Sequence, residues 1–274
     1  MCPFFDSSKY DTDSESQYIL KKISSHSNPT FKLLRSLLES RGIRKHNRAL
    51  LSGKRIIDEA LAAYPERCLA LVAKEGAEIL DLSSTRLPDS FTRYQLDRQL
   101  FDEIDVWNAT DYLLLVEVGE FPAWNSKKTS QGCTLFIPFQ DPSNVGAVIR
   151  SAAAFSVSSI VLLEEAAHPF HPKSIRSASG NLFTVPIFTG PSISELDTGD
   201  LKLIVLDMDG ENISSFKPPD KFGLLCGIEG PGIPEKIKSL KNVRRTRIPI
   251  NESVESLNAA VATSIALYIL QNKL

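Results

Sequence analysis

IPINESVESLNAAVATSIALYILQNKL, Ile248 to Leu274, sets a compact polar cluster directly ahead of an apolar run. Val261, Ile265, Leu267, Ile269 and Leu270 predict a helix through that run. Glu255, Ser256 and Asn258 fall where the first backbone N–H groups of such a helix lack partners within it. Those side chains either cap the helix or hold a ligand at its start. Both readings use the same atoms, and the stretch alone leaves them open.

Upstream, four short and nearly continuous apolar segments alternate with helix-like ones: TLFIP (Thr134–Pro138), SSIVLL (Ser158–Leu163), KLIVLD (Lys202–Asp207) and FGLLCGI (Phe222–Ile228). Strands of this kind between helices predict an α/β domain whose parallel sheet is covered on both faces. A smaller α/β domain is expected over residues 29–118. Phe31, Leu33, Leu34, Leu37 and Leu38 repeat at helical spacing, as do Ile56, Ile57, Ala60 and Leu61, and CLALVAK (Cys68–Lys74) and DYLLLVEV (Asp111–Val118) read as its two strands. Residues 1–28, rich in Ser and Asp, read as a loose extension. EFPAWNSKKTSQ, within 119–132, reads as a linker to the domain at 133–274.

At 42% hydrophobic and 23% charged, the 274 residues have globular composition. Cys2, Cys68, Cys133 and Cys226 form no CxxC pair, so reduced thiols and no metal are expected. No apolar run approaches the roughly 18 residues of a membrane helix, and the N-terminus resembles neither a signal nor a transit peptide. The chain is expected in the cytoplasm, off the membrane. A net charge of −2 argues against a uniformly positive surface. Yet two stretches carry cations and no acid: Arg41, Arg44, Lys45, Arg48, Lys54 and Arg55, then Lys236, Lys238, Lys241, Arg244, Arg245 and Arg247. Together they predict a local phosphate-binding footprint.

Two more segments carry candidate chemistry. FQDPSNVGAVIRSAAAF (Phe139–Phe155) follows a strand and opens a helix that Asp141, Ser143 or Asn144 can cap. Gly146 permits a close backbone approach, and Arg150, about 9 Å along the axis from Asn144, leans back toward the strand end. An arginine there suits a phosphate at the carboxyl ends of the strands. CGIEGPGIPEKI (Cys226–Ile237) ends a strand with Gly227, Gly230 and Gly232 around Glu229 and Pro231, a pattern that fits a plain turn as well as a ligand loop. GxGxxG and GxxxxGK[ST] are both absent, which counts against an ordinary dinucleotide fold or a P-loop.

In order and spacing, NVGAVIRSAAAF, GIEGPG and IPINESVESLNAAVATSIALY resemble the three signature motifs of the SpoU (TrmH-type) branch of the SPOUT RNA methyltransferases. HPFHPKSIRSASGNLFTVPI (His168–Ile187) resembles that family's connecting segment, and NPTFKLLRSLLESRGIRKHNRALLSGKRIIDEAL is similar, more weakly, to the L30e-like RNA-binding domain preceding the catalytic domain in many members. The resemblance implies an S-adenosylmethionine (SAM) site inside a deep trefoil knot, a rare topology, and methylation of a ribose 2′-hydroxyl in rRNA or tRNA. It places Asn144, Arg150, Glu229, Ser256 and Asn258 at catalytic positions. Leu206, Gly227, Ile228, Gly230, Ile248, Ile250 and Leu257 fall on cofactor contacts. The basic set Arg41, Arg44, Lys45, Arg48, Lys54 and Arg55 is assigned to RNA. A homodimer through the knot region is also implied.

One position departs from the pattern: Ile228 stands where the family usually carries a small polar residue. A catalytically inactive RNA-binding protein that retained the fold is the alternative this substitution motivates. His168 and His171 lack further metal ligands nearby. Trp107, Tyr112 and Trp124 are expected to serve core packing or a partner contact rather than base stacking, and Asp207 and Asp209 to form a strand-end turn.

Overall fold

The computed structural model describes residues 20–273, except 79, 83–84, 108–109, 129 and 229–231. Two compact units divide the chain, Met1–Gly119 and Glu120–Leu274.

In the first unit the described elements are β1 (Leu20–Ile23), α1 (Pro29–Ser36), α2 (Ser40–His46), β2 (Arg48–Ser52), α3 (Lys54–Ala63), β3 (Cys68–Lys74), β4 (Thr92–Leu96), α4 (Arg98–Ile104) and β5 (Tyr112–Glu117). Asn28 caps α1 by accepting from the Thr30 N–H at 2.8 Å, and Pro29 supplies the preset first turn. The five-stranded sheet has the order β1-β4-β3-β5-β2, parallel from β1 to β3 and antiparallel where β5 meets β3 and β2. Two of these strands were legible as apolar runs. β4, TRYQL, carries a buried side chain only at Leu96, so period and hydropathy gave no sign of it. The reading of residues 1–28 as a loose extension needs correction at its end, because Leu20–Ile23 pairs in parallel with Arg93–Leu96.

The second unit contains β6 (Gly132–Ile137), α5 (Pro142–Ala154), β7 (Ser159–Leu162), α6 (Pro172–Ala178), β8 (Ile187–Thr189), β9 (Lys202–Asn212), β10 (Lys221–Leu225), α7 (Glu235–Lys238), β11 (Val243–Arg247) and α8 (Ala259–Gln271). Its six strands pair in parallel throughout, in the order β11-β9-β10-β6-β7-β8. Phe136, Val161, Leu203, Val205 and Leu225 are buried in one apolar cluster with Ile193, Ile233 and Ile237. Leu225 pairs with both Val205 and Phe136, and Phe136 with Val161, so the carboxyl ends of four strands align along one edge.

Residues expected to be a free linker belong to this unit. The Trp124 N–H donates to the Thr189 carbonyl at 2.7 Å, the Thr189 N–H donates to Pro122, and Ala123 thereby extends the sheet beyond β8. The Trp124 ring meets Phe136 edge-on at 5.0 Å, and Phe121 stacks on Phe170. Polar composition around a single anchoring indole concealed this packing.

Candidate active site

Asp141, following β6, accepts a hydrogen bond from the Ser143 N–H at 2.8 Å and caps α5. The side chain of Asn144 is thereby left for another task. Its Oδ1 accepts a hydrogen bond from Asn258 Nδ2 at 3.1 Å. The Oδ1 of Asn258 meanwhile accepts from the N–H groups of Ala260 and Val261, at 2.9 and 3.2 Å, which caps α8. A single amide ends one helix and reaches the first turn of another.

Further contacts follow in the same order along both helices. The hydroxyls of Ser151 and Ser264 lie 2.7 Å apart, and the rings of Phe155 and Tyr268 meet edge-on at 5.9 Å. α5 and α8 therefore run side by side in one direction, and both N-termini open at the carboxyl edge of the sheet. Partial positive charge from the two helix ends collects there. Asn144 and Ser151 are seven residues, about two turns, apart and share the face that meets α8. Arg150 is rotated about 100° off that face. It is exposed, with no hydrogen-bond or ion-pair partner among the described residues.

Gly146 serves a different contact. A Cβ there would lie 2.1 Å from the Ser174 carbonyl oxygen, so its missing side chain admits α6. The Ser174 hydroxyl donates to the Pro142 carbonyl at 2.8 Å, tying α6 to the first turn of α5. His168 and His171 accept backbone N–H bonds through Nδ1, from Phe170 and Lys173, each at 3.1 Å. Those rings have structural work as turn and helix caps.

The second segment is joined to α8 by contacts that sequence reasoning missed. Thr263 Oγ1 donates to Cys226 Sγ at 2.9 Å, immediately after β10. Burial pushes the Cys226 thiol up to about 12, so it stays a neutral partner. Beyond it, a Cβ on Gly227 would come within 2.7 Å of the Gly232 carbonyl carbon. Ile228 and Gly232 exchange backbone hydrogen bonds at 3.0 and 2.8 Å, closing a tight loop. Glu229 and Gly230, between them in sequence, lie outside the described residues. Ile228 packs against the apolar cluster containing Phe136 and Ile233, so it anchors the base of the loop.

Leu206, Ile248, Ile250 and Leu257 are half-buried. Leu206 follows Val205, whose ladder partner Leu225 precedes Cys226, and Ile248 follows the end of β11. Partly open apolar side chains thus border the edge at which Gly227 turns. Ser256 and Glu255 are exposed and precede α8, so the capping expected of the whole cluster falls to Asn258 alone.

The two basic stretches have different fates. In the first unit Arg41, Arg44, Lys45 and Arg48 are exposed on α2 and β2, whereas Lys54 and Arg55 each pair with an acid four residues on, Asp58 and Glu59, at 2.8 Å. In the second stretch, Lys236–Arg247, three of the six cations meet acids. Arg245 meets Asp207 at 2.9 Å, Lys238 meets Asp207 and Glu235, and Arg244 pairs with Glu211 while lying 3.9 Å over the Phe216 ring. The acids that meet Arg244 and Arg245 lie 33 and 38 residues upstream on β9, outside what the charge of the segment itself could show. Asp207 and Asp209, expected to form a strand-end turn, are those acids together with Glu211.

Among the described residues no cluster of His, Cys, Asp or Glu has metal-binding geometry, and no helix is long and apolar enough to cross a membrane.

The model of the SpoU rRNA Methylase family matches residues 134–268. A protein named Ribosomal RNA small subunit methyltransferase G 2, from Syntrophobacter fumaroxidans, is 43% identical over 251 residues, 90% of this chain. The chain spans only 48% of that relative, so that name describes a protein about twice as long. The Bacillus subtilis 23S rRNA (guanosine(2553)-2′-O)-methyltransferase RlmP is 27% identical over 92% of this chain and 100% of its own length. Among solved structures, the SpoU methyltransferase AviRb from Streptomyces viridochromogenes, in complex with AdoMet, superposes with a TM-score of 0.75 at 24% identity, covering 89% of this chain and 97% of that one. That likeness shows the fold.

Proposed function

Because residues 134–268 belong to the SpoU rRNA Methylase family, we propose that this chain transfers the methyl group of SAM to a ribose 2′-hydroxyl of ribosomal or transfer RNA. The observation that carries the proposal is the Asn258–Asn144 hydrogen bond, which locks two parallel helix N-termini together beside an exposed Arg150. The site also suits the cofactor. Half-buried Leu206, Ile248, Ile250 and Leu257 offer apolar surface to an adenine, and the Gly227 turn brings backbone groups to its edge.

SAM, when bound, supplies an electrophilic methyl carbon. The work left to the chain is to bring the 2′-oxygen into line, so positioning dominates the rate gain. Arg150 holds the neighbouring phosphate and stabilises the oxygen as it becomes anionic. A guanidinium group holds its proton too firmly to serve as a base, so anion stabilisation is the role assigned to Arg150. Asn144 and Asn258 hold the helix starts in register, while Glu229 and Ser256 orient the ribose. Ile228 is compatible with activity because it anchors the loop from its apolar side. Retention of Asn144, Arg150, Ser256 and Asn258 favours an active enzyme over a binding-only protein.

In this reading Met1–Gly119 includes a small L30e-like domain that engages RNA through Arg41, Arg44, Lys45 and Arg48, with Lys54 and Arg55 nearby in sequence. Glu120–Leu274 is the knotted SPOUT domain, and the enzyme works in the cytoplasm as a homodimer through the knot region. Val261 and Tyr268, 48% and 57% exposed on α8, supply apolar surface for such a contact. Purified protein incubated with labelled SAM and total RNA, followed by mapping of 2′-O-methylation, tests the activity. Transfer to no rRNA or tRNA would refute it.

A further inference from the structure

β9 is longer than the ladder it forms with β11. Arg245 pairs with Val205, but the next residue, Thr246, pairs with Glu211. Leu206–Gly210 therefore leaves the ladder as an excursion at the carboxyl edge, between the exits of β10 and β11. Fixing each such residue costs backbone entropy, so an ordered excursion needs restraints.

Asp207 provides them. Its side chain is 8% exposed and receives Arg245 Nε at 2.9 Å from β11 and Lys238 Nζ at 3.3 Å from α7. It also accepts the Asp209 N–H at 3.2 Å, within the excursion itself. The far end is held by shape. A Cβ on Gly210 would lie 2.5 Å from the Thr246 nitrogen, so only glycine lets the chain return this close to β11. Thr246 in turn donates its hydroxyl to the Val205 carbonyl at 3.1 Å.

We infer that Asp207 is a positioning residue for the cofactor. Clamped by Arg245 and Lys238, it sets the Leu206–Gly210 excursion as a fixed wall that presents Leu206 to bound SAM. The inference rests on the proposed SAM site and adds to it a support that no signature motif contains. A site needs its contacting groups held to within about half an ångström, and a buried charge pair can hold them so.

The test is a set of substitutions in the full-length chain, with SAM affinity from calorimetry and separate KM and kcat values for SAM and RNA. Asp207→Asn should raise the SAM Kd and KM about tenfold, equivalent to about 1.4 kcal/mol, with kcat at saturating SAM and KM for RNA within about twofold. Arg245→Gln should behave likewise, and Arg245→Lys should recover most of the affinity. Wild-type SAM affinity in a folded Asp207→Asn protein would overturn the inference, as would an equal loss in both substrates and kcat. Should Asp207→Asn fail to fold, Arg245→Gln decides by the same criteria. A wild-type chain that binds no SAM refutes the SAM site and this inference together, whereas SAM binding unaffected by either substitution overturns this inference alone.

Discussion

Arg41–Arg55 and Lys236–Arg247 look alike as sequence, each with six cations and no acid, yet the fold gives them different surroundings. On α2 and β2, Arg41, Lys45 and Arg48 are exposed. Across β9, β11 and α7, Asp207, Asp209, Glu211 and Glu235 answer Lys238, Arg244 and Arg245. Whether a cation in such a run meets an acid depends on what the neighbouring strand brings, not on its own segment. Arg150, exposed beside two helix starts and without an ion-pair partner among the described residues, is the extreme case of the first kind.

The strongest way to break this contrast is at Arg150. Arg150→Ala should lower turnover by at least about a hundredfold, the scale for loss of an oxyanion-stabilising donor, while SAM affinity from calorimetry stays within about twofold. Normal turnover would remove Arg150 from the mechanism. Next in size is the open stretch. Replacing Arg41, Lys45 and Arg48 together with Ala should raise the RNA Kd about tenfold and flatten its salt dependence by up to about three phosphate contacts. The control is Arg244→Gln, which should leave the RNA Kd unchanged because that guanidinium already faces Glu211. If it weakens RNA as much as the triple variant, the contrast fails.

Asn258 separates two functions of one side chain. Asn258→Ala should cost about 1 kcal/mol in denaturant unfolding through the lost cap. Asn258→Asp keeps the cap oxygen but loses the Nδ2–H donated to Asn144. It should therefore unfold near the wild-type midpoint yet turn over more slowly. Equal activity in the wild type and Asn258→Asp would reduce Asn258 to a cap.

The smallest effect concerns pH. Although burial opposes ionisation, the hydrogen bonds from Arg245, the Asp209 N–H and Lys238 hold the Asp207 carboxyl below its usual range. A depressed folded pKa contributes stability above the unfolded value and loses it as pH falls through the folded one. The unfolding midpoints of wild type and Asp207→Asn should therefore differ near neutral pH and converge at pH values below about 4.

How much was legible follows from where each strand sits. CLALVAK, TLFIP, SSIVLL, KLIVLD and FGLLCGI carry apolar density because most of their side chains are buried. β1, β2, β8 and β11 lie at sheet edges, and their hydropathy is correspondingly mixed. VRRTR of β11 therefore read as a basic run, although Thr246 within it is fully buried and hydrogen-bonded to Val205. In the site, Asn144, Arg150 and Asn258 stood out by type and motif. Thr263 and Cys226 did not, because a hydroxyl–thiol contact across 37 residues leaves no local pattern. Ser151, seven residues after Asn144, was a readable sign that one polar face of α5 met a partner.

The sequence by itself determined the parallel α/β domain, the apolar C-terminal helix and the residue types available for transfer chemistry, because helix and strand periodicity and burial are written locally. Only the tertiary structure decided that Asn258 both caps α8 and holds Asn144, that Asp207 clamps the excursion of β9, and which cations stay open. Those outcomes depend on groups 30 to more than 100 residues apart becoming neighbours, as with Asn144 and Asn258, 114 positions apart. Charge and hydrogen-bond partners at that range are set by strand order and helix packing, not by the order of residues along the chain.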